Sequence, residues 1–209
     1  MAQDVESLRL YLELDTIDHL AGHSNGGCIA LWYAIRFPNR VRKLLLLDAQ
    51  LLGTAHISEP AMAAVLDARP EKDKDAVAAF RGWRPLELRT DEEMAESLNA
   101  FLPLYLANPE RDLAAFKAGF TNLPQAACIT SQYAAEGQHE DQIDHLGEVL
   151  AETLIIVGRH DFICPVPVSE RIAAGIRNST LEVLEDCGHM PFIEKKEKFA
   201  EILRKLCSV

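Results

Sequence analysis

No stretch of Lys and Arg in this chain forms a stripe, and its formal charge is −11, from 32 acidic against 21 basic residues. That balance excludes a nucleic-acid backbone as partner. The densest basic cluster, Lys195, Lys196 and Lys198, alternates with Glu194 and Glu197, the pattern of a solvated helix face. C-x-x-C pairs are missing too. Cys28, Cys128, Cys164, Cys187 and Cys207 are dispersed and odd in number, which argues against a disulfide framework and for reduced thiols. Metal-ligand spacings, internal repeats and low-complexity segments are likewise absent. Met1 to Leu20 carries Asp4, Glu6, Glu13, Asp15 and Asp18 in place of the basic start and apolar run of a secretory signal. No segment is long enough to span a membrane. The expectation is a soluble, cytoplasmic protein with no membrane partner and no cofactor, whose 48% apolar content suffices for a core.

What is present alternates. Asp4 to Leu14 reads as an amphipathic helix with Val5, Leu8 and Leu12 on one face and Asp4 as a cap. Ile17 to Ala21 is a short strand running into Gly22-His23-Ser24-Asn25-Gly26-Gly27, and Gly26 to Phe37 is helical until Pro38 stops it. Val41 to Asp48, with four consecutive leucines, suits a parallel strand buried on both faces. Residues 51–150 change character. They are rich in Ala, Glu, Asp and Leu, and carry helix starts at Ser58 with Pro60, Asn108 with Pro109, and the capping box Thr90 to Glu93. Four or five helices and no strand are expected there. The alternation then resumes with strand Thr153–Val157, helix Val168–Ile176, strand Leu181–Leu184 and a closing helix from Phe192 to Leu206. A helical insertion in a parallel α/β sheet produces this order, with residues 1–50 and 151–209 as the sheet-bearing core; two independent domains are the alternative.

The chemistry centres on Gly22-x-Ser24-x-Gly26, placed between a strand and a helix. In that context the pattern makes a nucleophile elbow, a sharp turn that pushes a Ser side chain into a cleft. The flanking glycines are expected because a side chain at either would collide with the neighbouring strand and helix. The blander reading is a Gly-rich turn that caps a helix or holds an anion. A Ser hydroxyl needs a base, and the base needs an orienting third group. Asp161 follows one strand, His189 follows the next, and the 28 residues between them accommodate one helix and one strand. Ser, then acid, then His is the order this elbow requires. Among the other histidines, His19, His56, His139 and His145 read as structural or exposed. His23 packs beside the nucleophile, and His160 is the one competitor of His189 as base.

Gly22-His23-Ser24-Asn25-Gly26-Gly27, Gly158-Arg159-His160-Asp161-Phe162-Ile163-Cys164-Pro165 and Gly188-His189-Met190-Pro191-Phe192-Ile193-Glu194 resemble the three signature segments of the α/β-hydrolase superfamily. Within it they are most similar to the proline iminopeptidase-like branch. The resemblance implies a partial α/β-hydrolase sheet, corresponding to the C-terminal half, with residues 51–150 as the helical cap. It implies Ser24, Asp161 and His189 as catalytic triad and the backbone N–H of Asn25 as one oxyanion donor. It also implies strands upstream of Met1 and a second donor from them. Their absence would leave strand Ile17–Ala21 as an edge through which copies of the chain could associate. Two functions follow. One is a serine hydrolase that cleaves an ester, lactone or amide of a small molecule through an acyl-enzyme. The other is a truncated, impaired fragment or pseudoenzyme that acts only by binding.

Overall fold

The computed structural model describes residues 1–134 and 140–207; His139 lies outside them. Strands β1 (Ile17–His23), β2 (Val41–Leu47), β3 (Glu152–Gly158) and β4 (Ser179–Leu184) form one parallel sheet in the order β1-β2-β3-β4. The leucine run makes β2 central, and its side chains alternate between two cores. Leu44 and Leu46 pack with Ile155 against helices α2 (Asn25–Arg36) and α8 (Val166–Gly175), while Leu45 and Leu47 pack with Ile156 against Ile202 and Leu206 of helix α10 (Lys196–Cys207). Each of these leucines is almost fully buried. Burial on that scale stabilises by about 1.5–3 kcal/mol per side chain.

Between β2 and β3 the described residues contain no strand and five α-helices: α3 (Ala55–Asp67), α4 (Lys74–Arg81), α5 (Asp91–Phe101), α6 (Pro109–Ala118) and α7 (Ala126–Ala134). The capping box is formed at α5, where Thr90 Oγ1 accepts from the Glu93 N–H and Glu93 accepts from the Thr90 N–H. At α6, Asn108 caps by accepting from the Arg111 N–H. The insert packs on the sheet through Phe162, which joins Leu66, Val77, Phe101 and Leu104, and through Met190, which joins Leu102, Leu106 and Phe116. Both anchors belong to loops at the carboxyl edge of the sheet, so the insert covers that edge.

Four local expectations are corrected. Helix α1 (Ala2–Tyr11) does not bury the Leu8 and Leu12 face; those residues are 56% and 53% exposed. A buried ion pair is turned inward instead. Arg9 donates to both Glu6 carboxylate oxygens and to the carbonyls of Leu14 and Asp15, and Tyr33 Oη donates to Glu6. Asp4 pairs with the terminal amine of Met1 and caps nothing. Helix α3 starts at Ala55, with Ser58 and Pro60 already inside it. The closing helix is broken at Lys195 (φ −132°, ψ 47°) into α9 (Pro191–Glu194) and α10, because Glu194 turns inward to the His189 loop.

Candidate active site

Parallel register brings four strand ends to one edge. His23 pairs with Leu47, Leu47 with Ile156, and Gly158 with Leu184, so the residues that follow β1 to β4 emerge side by side. Open α/β sheets collect ligands at this edge. Ser24 occupies the corner between β1 and α2 with φ 56° and ψ −124°, a conformation strained for a residue with a Cβ. Its N–H donates to Leu47 O and its carbonyl accepts from Gly27, Cys28 and Gln50. Four backbone bonds therefore hold the strained corner. A Cβ at Gly22 would lie 2.2 Å from Gly26 O, and one at Gly27 2.5 Å from Ala49 Cβ. Gly26, expected to be sterically required, is open: no atom lies within 4 Å of a Cβ placed there. The close approach is carried by Gly22 and Gly27, because the helix turns Gly26 outward.

Asp161 and His189 are 0% and 2% exposed, and Nδ1 of His189 lies 2.8 Å from Asp161 Oδ2. Asp161 Oδ1 accepts from the N–H groups of Ile163 and Cys164. Burial pushes the Asp161 carboxyl up, but His189 and the Cys164 N–H outweigh it and hold it below the ordinary carboxylate value. The carboxylate is thus an acceptor on every side, and it fixes the imidazole with Nδ1 protonated and Nε2 free to take a proton. Among the described residues no hydrogen bond joins the Ser24 hydroxyl to His189, whose ring is bonded to Asp161. Catalytic hydrogen bonds commonly tighten only when substrate arrives. Asp161, Cys164 and His189 also present ligand atoms within 4.8 Å of one another. Burial raises the Cys164 thiol well above its ordinary value.

His160 is exposed, its N–H bonded to Cys187 O, and it does not share the buried pocket of Asp161. His23 is half-buried against the site. Its Nε2 lies 2.8 Å from His189 O, and a carbonyl has no proton to give, so Nε2 carries it. Burial first, and the neighbouring His189 charge second, pull its pKa down to about 4. His19 and His56 are exposed, and His145 pairs with Glu140 and Glu148. Asn25 heads α2, so its N–H has no partner within the helix and is available to an oxyanion. Its side chain reaches Gln132 of α7 at 3.4 Å.

Sequence reasoning passes over two buried acids. Glu194 accepts from the N–H groups of Gly188 and Met190 on either side of His189, and from Ala107 of the insert. His189's own N–H donates to Tyr105 O at 2.7 Å. Asp48, directly after β2, accepts from the Gly158 N–H at 2.8 Å. Neither stands in a motif that names a role; Asp48's place at a strand end is the one signal available. Two open recesses of about 440 and 450 Å³ lie on the insert around Leu86–Arg89, α5 and α7, and neither is lined by Ser24, Asp161 or His189.

A parallel sheet covered by helices, with a strained Ser corner and a buried Asp–His pair on its carboxyl edge, is the arrangement of the α/β-hydrolase fold. The chain belongs to the α/β-hydrolase family: the model of the alpha/beta hydrolase fold matches residues 1–196. It is 31% identical to a 2-hydroxy-6-oxo-2,4-heptadienoate hydrolase from Pseudomonas putida, over 92% of this chain and 63% of that one. It is 26% identical to a proline iminopeptidase from Clostridioides difficile, over 96% of this chain and 69% of that one. An α/β-fold-family hydrolase from Bacillus anthracis superposes over 98% of this chain and 72% of its own with a TM-score of 0.75 at 23% identity. The chain spans about two thirds of the length of the curated relatives it matches. Among the described residues no helix is long and apolar enough to cross a membrane.

Proposed function

We propose that this chain carries the acyl-transfer site of a serine hydrolase acting on an ester, lactone or amide of a small molecule. Ser24 attacks the carbonyl, His189 takes and returns the proton, Asp161 stabilises the imidazolium, the Asn25 N–H binds the oxyanion, and water releases the acyl-enzyme. The observation that carries this reading is the buried Asp161–His189 pair at 2.8 Å beside a serine in a strained strand-to-helix corner. The relatives support a carbonyl substrate. One is named for an oxo-dienoate and another as a peptidase, and both substrate classes contain a carbonyl carbon. Residues 51–150 serve as the cap over the site in this reading, with Phe162 and Met190 as its seats. The thiols of Cys28, Cys128, Cys164 and Cys187 are unpaired, which fits a cytoplasmic location. We also propose that copies associate through β1, which ends the sheet and exposes Asp18, His19 and Ala21.

The alternative, a binding-only protein, is favoured by one feature: among the described residues no hydrogen bond joins the Ser24 hydroxyl to His189. Fluorophosphonate labelling decides between them, because it requires an activated serine and no knowledge of the substrate. Labelling, and turnover of a p-nitrophenyl ester, should fall by several orders of magnitude in Ser24→Ala and nearly as far in His189→Ala. His160→Ala should retain both. No labelling of the wild-type chain, or labelling that survives Ser24→Ala, refutes the reading.

A further inference from the structure

Beneath the site two carboxyl groups meet, and the proposed chemistry uses one of them. Asp48 is 0% exposed and sits in a left-handed backbone conformation (φ 42°), held there by its N–H, which donates to Ile156 O at 2.8 Å. A non-glycine residue keeps such a conformation only where its surroundings enforce it. Its Oδ1 accepts from the Gly158 N–H, and its Oδ2 is buried with no N–H or O–H donor in reach. Its neighbour in that pocket is the buried carboxyl of Asp161, in the loop after β3 that the register sets beside the end of β2. Two carboxylates side by side in a dry pocket do not both stay ionised; one must hold a proton. Asp161 faces donors throughout: the His189 ring and the N–H groups of Ile163 and Cys164. Asp48 has a single N–H and no cation beside it, so the proton belongs on Asp48.

We propose that Asp48 is a positioning residue, a neutral carboxylic acid whose O–H donates to Asp161 and fixes the carboxylate that orients His189. The inference rests on the triad reading above. The surrounding groups agree with it. Burial, then the Asp161 charge, push the Asp48 carboxyl well above the ordinary 3.8, and Glu194 adds to the rise. The thiols of Cys164 and Cys187 are raised by burial and stay neutral, and the charged side chains that act on the Asp48 carboxyl, Asp161 and Glu194, are both acids. The role differs from that of Asp161. Asp48 touches neither the substrate nor the imidazole, and acts by occupying a lone pair of Asp161 that would otherwise lie bare in a dry pocket.

Asparagine reproduces the protonated acid: its carbonyl can accept from Gly158 and its N–H₂ can donate to Asp161. In Asp48→Asn, kcat/KM for a p-nitrophenyl ester should fall by no more than several-fold, and the acid limb of its pH profile should not move. Asp48→Ala should lose at least about tenfold more, because a buried acceptor is left unpaired. Thermal melts give a readout that needs no activity. Above about pH 4 the unfolded wild type releases the Asp48 proton and the folded chain keeps it, so wild type loses stability with rising pH while the Asn variant has no such proton. The melting temperature of Asp48→Asn should therefore gain on wild type as pH rises above about 4. A gap independent of pH overturns the proposal, as does an acid limb lowered by about one unit, the mark of a removed negative charge. Equal activity of the Ala and Asn variants overturns the positioning role. Should Asp48→Ala fail to fold, the profile and melts of Asp48→Asn decide alone. Turnover that survives Ser24→Ala sinks the triad reading instead, and the melts still report where the proton sits.

Discussion

Truncating Glu194 tests whether the His189 loop is held by its neighbours or by its own sequence. The carboxyl makes three backbone bonds at once: Gly188 N–H at 2.9 Å and Met190 N–H at 3.2 Å on Oε1, and Ala107 N–H at 2.7 Å on Oε2. In Glu194→Ala those three buried donors lose their acceptor, each at a cost of about 1–3 kcal/mol. Water entering the vacated space recovers part of that, which leaves about 3–5 kcal/mol. For a chain of this size each kcal/mol moves the melting temperature by about 2–4 °C, so the variant should melt about 6–20 °C lower. Glu194→Gln separates the two halves of the latch. Its single amide oxygen can still serve Gly188 and Met190, but its N–H₂ then opposes the Ala107 N–H. It should lose about one donor's worth, 1–3 kcal/mol, with the loss located at the insert.

The kinetic consequence is larger than the stability one. His189 Nε2 must meet both nucleophile and leaving group, and a displacement of about 1 Å at such a centre costs on the order of 100-fold. Glu194→Ala should therefore lower kcat for a p-nitrophenyl ester far more than it raises KM, since no substrate contact is removed. Differential scanning fluorimetry and saturation kinetics at one pH suffice. A Glu194→Ala protein that melts within about 2 °C of wild type with unchanged kcat would show that the loop needs no latch.

Two further outcomes are expected. His23 has its pKa lowered to about 4 from 6.5, so between those values the unfolded chain takes up a proton that the folded chain refuses. Stability is then lost as pH falls from about 6.5 to about 4, by about 3 kcal/mol in total, and His23→Gln should show a flatter loss in urea unfolding across that window; parallel curves refute it. Light scattering of the purified chain should report a dimer or higher species, and a charge placed at Ala21 on the free strand edge should shift it toward monomer; a monomer at all concentrations removes the association proposal.

Much of the architecture is legible in the sequence because it depends on short-range pattern. The four-leucine run can only be a strand buried on both faces, and Gly22-x-Ser24 between a strand and a helix leaves few turns to choose from. Capping boxes such as Thr90 to Glu93 are satisfied by residues three apart, so they read correctly without any tertiary knowledge. Two of the misreadings share one cause: a polar side chain satisfied outside its own helix. Helix α1 looks amphipathic through Leu8 and Leu12, but Glu6 and Arg9 win the inward face because Tyr33 and the carbonyls of Leu14 and Asp15 complete their bonding. Phe192 to Leu206 looks like one helix, but three N–H groups, one of them 87 residues away in the insert, draw Glu194 inward and break it.

Asp48 extends the point to the site itself. Nucleophile, base and acid announce themselves by motif because their chemistry demands particular residues next to particular turns. A buried acid whose work is to keep another acid in place carries no such mark; in sequence it is simply the polar residue that ends an apolar strand. Only the parallel register, which sets the end of β2 beside the end of β3, brings Asp48 to Gly158 and Asp161. Charges gathered in a dry pocket constrain one another more strongly than any of them is constrained by its own segment. The parts of this site hardest to read from sequence are therefore those that set the state of the parts easiest to read.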